Sequence, residues 1–194
     1  MPRFALACAG AALAGLALAG CQSAPPAPAP TPTFTCTPEA GGDPFPCSQF
    51  QHDEMVAKDA LYAEAEAVYR RFLAEDVRIM RAGGVSEPTK VLLETTTGAF
   101  LEDALLDYRQ LKRDGTTARG EDPDLVWVRR EPGKSKMGSQ VAMSTCVDGR
   151  GLEFRQADRA IGTGRIARDV TYFSRVKGDL KVIGADGEQV TSCG

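Results

Sequence analysis

The chain has 194 residues, 43% of them apolar and 25% charged, with a formal net charge of −3. That length allows one domain with a core of its own plus leading segments. The mild acidity removes the electrostatic footprint that nucleic-acid binding needs, so no nucleic-acid partner is expected.

In chain order, Met1–Arg3 is a short positive start, and Phe4–Leu18 is apolar and uncharged. A membrane span needs about 20 apolar residues, so this run fits the apolar part of a signal peptide better. Leu18-Ala19-Gly20-Cys21 then resembles the bacterial lipobox, whose cysteine is diacylated and becomes the new N-terminus. The resemblance implies lipidation at Cys21 and a lipid-anchored place on the extracytoplasmic face of the cell membrane. Ordinary secretion with cleavage near Ala17-Leu18-Ala19, or an uncleaved anchor helix, are the alternatives. Two acyl chains, at about 0.8 kcal/mol per buried CH₂, anchor stably where one is marginal.

Gln22–Thr35 holds five prolines among Ala and Thr. It has no core-forming pattern and reads as an extended spacer in polyproline II, about 3.1 Å per residue. Four cysteines follow Cys21, namely Cys36, Cys47, Cys146 and Cys193. An even number in an exported chain points to two disulfides. Cys36 and Cys47 enclose a Gly/Pro-rich piece that a local bridge would close, with an entropic gain of about 3 kcal/mol. Neither their spacing nor His52, the only histidine, makes a metal site. The expected divisions are 1–20 signal peptide, 21–47 lipidated cysteine, spacer and disulfide loop, and 48–194 folded domain.

From Ser48, a candidate N-cap, to about Ala82 the pattern is helical. Leu61, Ala65, Val68, Phe72 and Ile79 recur on one face, and Glu54–Lys58 and Glu66–Arg70 are spaced as i,i+4 pairs on the other. Gly83-Gly84 stops the run. Val91-Leu92-Leu93 predicts a short second helix. Thr97 is a candidate cap for a third, with Leu101, Ala104, Leu105, Tyr108 and Leu111 on one face and Gly115 at its end. The period then changes to two. Leu125–Arg129, Gln140–Val147, Gly151–Arg155, Asp169–Val176 and Leu180–Ile183 predict strands. Asp148-Gly149, Lys177-Gly178-Asp179 and Asp186-Gly187 are turn chemistry. Helices first and antiparallel strands after define an α+β class, N-terminal helices on a curved antiparallel sheet.

A long, a short and a third helix ending in "LKRDG", followed by meandering strands, resembles the nuclear-transport-factor-2-like α+β cone. More narrowly it is similar to actinobacterial lipoproteins of that shape. The matching positions are Cys146-Val147-Asp148, then Tyr172, Val176, Gly178, Leu180, Val182, then Cys193. The chain departs at Leu180, where the family often has tryptophan. The resemblance implies a disulfide Cys146–Cys193. The other pairings join Cys36 and Cys47 to Cys146 and Cys193 in either order. It also implies either a small-ligand or partner-binding domain, an isomerase- or cyclase-type enzyme, or an accessory subunit of an envelope machine.

The sequence carries little recognisable chemistry. Pro132–Lys136 lacks the first glycine of a phosphate loop, since Val128 stands there. Gly162–Ala167 mimics a dinucleotide fingerprint, but no helix follows, and it reads as a flexible loop. Ser174 and Lys177 have SxxK spacing, which on a strand does not bring the two together. One histidine near the spacer leaves no Ser-His-Asp or Cys-His arrangement. The family's enzymes use Asp, Tyr or His inside the cone, which makes Asp148, Asp169 and Tyr172 the candidates here, with a turn, a strand start and a core aromatic as their ordinary roles. Arg165, Arg168 and Arg175, with Arg129-Arg130, form either a basic rim or a solvated face. The expectation is a non-catalytic protein without cofactor or metal, which binds a small apolar ligand or an envelope protein.

Overall fold

The computed structural model describes residues 34–194; the expected signal peptide, Cys21 and most of the spacer lie outside the described residues. The chain folds as α+β, with helices packed on antiparallel sheets. Two short strands, β1 (Phe34–Cys36) and β2 (Phe45–Cys47), pair antiparallel and are closed by the Cys36–Cys47 disulfide. Phe34 and Thr35 are thus strand residues and not spacer. The hairpin leans on the first helix: the Tyr62 hydroxyl donates to Glu39 at 2.6 Å, and Phe34 packs on the His52 ring.

Helix α1 (Gln49–Arg81) starts in a capping box. Gln51 N–H donates to the Ser48 hydroxyl, and the Gln51 side chain accepts from the Ser48 N–H. Tyr62, Ala65, Val68 and Tyr69 turn one face to the sheet, against Val141, Met143, Phe173, Leu180 and Val182. Each of the Val, Leu, Met and Phe side chains, fully buried, stabilises by roughly 1.5–3 kcal/mol. On the wet face Arg70 pairs with Glu66 at 2.7 Å, while Lys58 turns from Glu54 to Glu39 at 3.9 Å. The hairpin, unseen in the sequence, supplies that nearer carboxylate.

Beyond the helix Gly84, at φ +85°, lets the chain pass against the backbone of Tyr108. A Cβ there would lie 2.1 Å from the Tyr108 carbonyl oxygen. Helix α2 (Lys90–Thr95) is capped by the Thr89 hydroxyl. Helix α3 (Gly98–Asp114) ends on the left-handed Gly115, as expected. Its start differs from expectation. Thr97 makes no side-chain cap, and its N–H donates instead to Val182 O at 3.0 Å, tying the helix to the sheet. Ile79, Leu92, Leu105 and Tyr108 join the three helices in a second cluster.

Strands β4 (Asp124–Arg130), β5 (Val141–Asp148), β8 (Ile166–Val176) and β9 (Asp179–Val190) form a four-stranded sheet in the order β4-β5-β8-β9. Strands β3 (Thr116–Gly120), β6 (Leu152–Gln156) and β7 (Arg159–Thr163) form a three-stranded one in the order β3-β6-β7. Bulges interrupt the register at Leu125/Trp127, Phe154/Arg155 and Tyr172/Phe173, and each adds local twist and bend.

Two expectations are corrected here. Gly162–Ala167 is not a flexible loop: Gly162 and Thr163 end β7, and Ile166 and Ala167 begin β8. Asp186-Gly187 is not a turn but lies within β9, where Gly187 stands opposite Asp169 and leaves room for its carboxyl group. Long paired strands override the local turn preference of Asp-Gly.

The sheet's outer face is covered by residues 131–140 and the C-terminus. Cys146, fully buried, is bridged to Cys193, and Trp127 donates its indole N–H to the Cys193 carbonyl at 2.6 Å. Among the described residues no helix is long and apolar enough to cross a membrane.

Candidate functional site

The sheet's inner face and the helices do not close on each other completely. A cleft of about 860 Å³ opens between α1, α3 and the sheets. Its apolar lining includes Phe72 and Met80 of α1, Phe100 and Leu111 of α3, and Leu152 and Phe154 of β6. That size and lining suit a small organic ligand, since such sites span roughly 300–1,000 Å³. Phe72 and Phe100 meet edge to face, with ring centroids 5.3 Å apart.

One carboxyl group stands among these side chains. Asp76 follows Phe72 by one helical turn and so takes the same side of α1. The residue is half-buried, with walls crowding its carboxyl group and part of it open to the cleft. The buried Tyr108 of α3 donates its hydroxyl to Asp76 Oδ1 at 2.8 Å. Burial pushes the Asp76 carboxyl up to about 6; the Tyr108 hydrogen bond opposes this and the Asp107 charge adds to it. Burial, with Asp76 beside it, also drives the Tyr108 phenol well above its ordinary value, so Tyr108 stays the proton donor. Asp103 and Asp107, one turn apart on exposed α3, and Arg165 between β7 and β8 complete the polar lining.

A second polar group lies deeper. Thr145 of β5 donates to the Tyr69 hydroxyl at 3.1 Å, and burial pushes the Tyr69 phenol up to about 12. Asp169 pairs in register with Thr145 and shares its helix-facing side of the sheet. Burial raises its carboxyl above the usual carboxylate value, against the pull of Arg165.

The residues singled out from sequence are therefore not gathered in one place. Asp169 faces inward. Asp148 shares the outward face of Cys146 and is held by Arg150, with Nη2 at 2.6 Å; the guanidinium keeps its carboxyl below the ordinary value. Tyr172 also points outward, under the 131–140 connection, where it donates to Asp186 at 3.1 Å. Lys136 lies over the Tyr172 ring and pairs with the same Asp186. The basic residues do not form a common rim. Arg175 pairs with Glu64 and Arg130 with Asp59, while Arg129 and Arg168 lie over Trp127.

The sequence reading passed over Asp76 and its partner. The available signal was a pair of carboxylates, Glu75 and Asp76, on the apolar stripe between Phe72 and Ile79. Tyr108 reads simply as a core position, because its hydroxyl partner is 32 residues away. Among the described residues no group of three or more His, Cys, Asp or Glu is placed to hold a metal ion.

No family model matches the chain, and no curated protein matches it. Among solved structures it is similar to the intermembrane space region of the chloroplast protein ARC6. The identity is 16% over 66% of this chain and 95% of that one, with a TM-score of 0.35. A likeness at that level assigns neither a fold family nor a function.

Proposed function

We propose that this chain is a lipid-anchored extracytoplasmic protein with a nuclear-transport-factor-2-like domain that binds a small, largely apolar ligand without transforming it. The observation that carries binding is the cleft of about 860 Å³, walled by aromatic and aliphatic side chains. Its position, between a long first helix and the inner face of an antiparallel sheet, supports the cone reading. Two disulfides are compatible with an oxidising compartment. The anchor rests on the leader and on Cys21. In the proposed arrangement the proline-rich spacer holds the domain away from the bilayer.

Fractionation of cells tests the placement. The wild-type chain is expected in the membrane pellet after a high-salt wash, and Cys21→Ser in the soluble extracytoplasmic fraction. A Cys21→Ser product that stays in the pellet at full length contradicts the anchor.

Asp76 favours a second reading, an isomerase- or cyclase-type enzyme. A carboxyl pushed to about 6 and open to a cleft is suited to general base work near neutral pH. Turnover of small ketones by the purified chain, lost in Asp76→Asn, would establish it; the binding reading predicts no turnover. The accessory-subunit reading draws no comparable support. The exposed large apolar side chains, such as Phe50, Leu93, Leu106 and Ile161, are spread over separate elements.

A further inference from the structure

We infer that the ligand of this cleft is an amphipathic organic cation, with an ammonium group received by Asp76, in the field of Asp103 and Asp107 on the same cleft, and an apolar body lying on Phe72, Phe100 and Phe154. This rests on the binding reading above and adds the ligand's chemical class.

Three features carry it. The first is the imbalance of charge around the cavity. Three carboxylates line it against one guanidinium, that of Arg165. Among the described residues none of the three makes an ion pair, although twelve Lys/Arg–carboxylate pairs lie elsewhere on the domain. The two arginines of α3 are near in sequence but engaged otherwise. Arg109 donates to the Ser86 carbonyl and Arg113 to Gln110.

The second is the half-satisfied state of Asp76. Its Oδ1 accepts from Tyr108, and among the described residues Oδ2 accepts from no donor. Asp76 is half-buried and lines the cleft. An enclosed anion is costly unless a cation or donors meet it. The cleft that Asp76 lines is open to a ligand able to supply such a donor.

The third is the wall. Phenylalanine faces attract cations as well as hydrocarbon, at about 0.5–1 kcal/mol when exposed and about 2 when desolvated. Phe72 and Phe100 reach the cleft from the same two helices as the carboxylates, and Phe154 lines it from β6. The site thus offers an apolar bed with an anionic end, which is complementary to a primary or quaternary amine on a short hydrocarbon body. A carboxylate ligand of the same shape would meet like charge.

Calorimetric titration of the purified full chain tests this with three probes of one length: octylammonium, 1-octanol and octanoate, each below its aggregation threshold at pH 7.5. Octylammonium is expected to bind at least about tenfold more tightly than 1-octanol, and octanoate more weakly than either. Asp76→Asn should remove most of the preference for octylammonium over 1-octanol. Should Asp76→Asn fail to fold, the double variant Asp103→Asn/Asp107→Asn, on the exposed helix surface, should weaken octylammonium alone by about threefold or more. Ala104→Trp, which fills the cleft, should abolish all three. Equal or tighter binding of 1-octanol or octanoate, still lost in Ala104→Trp, overturns the cationic ligand and keeps the binding cleft. No binding of any probe, or binding indifferent to Ala104→Trp, overturns both.

Discussion

Serine at both Cys146 and Cys193 is expected to destabilise the domain by about 4 kcal/mol, the largest effect of any change considered. The bridge spans 47 residues. In the chain-entropy account a longer closed loop restricts the unfolded chain more, so this bridge outweighs Cys36–Cys47, which spans 11 and is worth about 3 kcal/mol. Cys146 is fully buried on the outer face of a central strand, and Cys193 lies one residue from the end of the chain. Without the bridge, the last residues lose their hold on the sheet. Trp127, the only tryptophan, reports this directly through its hydrogen bond to the Cys193 carbonyl. Urea unfolding followed by its fluorescence should give a lower midpoint and a red-shifted native spectrum in the double serine variant. A native spectrum like that of wild type, with an unchanged midpoint, would show that the bridge contributes little.

Asp76→Asn should have the opposite sign. The Asp76 carboxyl titrates near 3.8 when unfolded and is raised to about 6 in the fold. Between those values the folded chain keeps a proton that the unfolded chain has released. Stability therefore falls as pH rises from about 4 to about 6, and the whole deficit is present above about 6. At about 1.4 kcal/mol per pH unit the deficit is about 2–3 kcal/mol, with its upper end reduced by solvent entering the cleft. Asparagine keeps an acceptor for the Tyr108 hydroxyl and removes the charge. The variant should be more stable than wild type by about 2 kcal/mol at pH 8 and close to wild type near pH 4. The groups around Asp76 are Tyr69 on α1 and Tyr108 and Asp107 on α3, and Arg165 lines the same cleft. Denaturant melts at both pH values measure the difference. A loss of stability at pH 8 would mean that the ionised carboxylate supports the fold. A residue that weakens the fold and faces a cleft is better explained by ligand binding than by packing.

The architecture was legible where periodicity is long and chemistry is local. The 33-residue α1 shows its apolar stripe and its Ser48 cap, and α3 its stripe and terminal Gly115. Alternation in Gln140–Val147 anticipates β5 within one residue at each end. The short strands escaped. Thr116–Gly120 and Arg159–Thr163 have too few apolar residues to alternate, and pairing with β6 is what holds both extended. Residues 184–190 of β9 look like a turn because Gly184, Asp186 and Gly187 break the pattern. Their partners Tyr172, Val170 and Asp169 keep them in register.

The site was less legible for a related reason. Its polar pair joins α1 to α3 across 32 residues, and no local pattern ties Asp76 to Tyr108. Candidates chosen by residue type alone divide between faces. Asp169 turns inward, while Asp148 and Tyr172 turn outward to their own partners. On a strand a shift of one position exchanges inside for outside, and only the register decides it.

The cleft between α1, α3 and the sheets is the proposed working surface of this protein. Methyl-resolved NMR of the full chain during titration with octylammonium tests it most directly. The account predicts shifts at Leu111, Val147 and Leu152, which line the cleft, and none at Val126 or Val170, away from it. Shifts confined to Val126 and Val170, or no shifts at saturating probe, would contradict it.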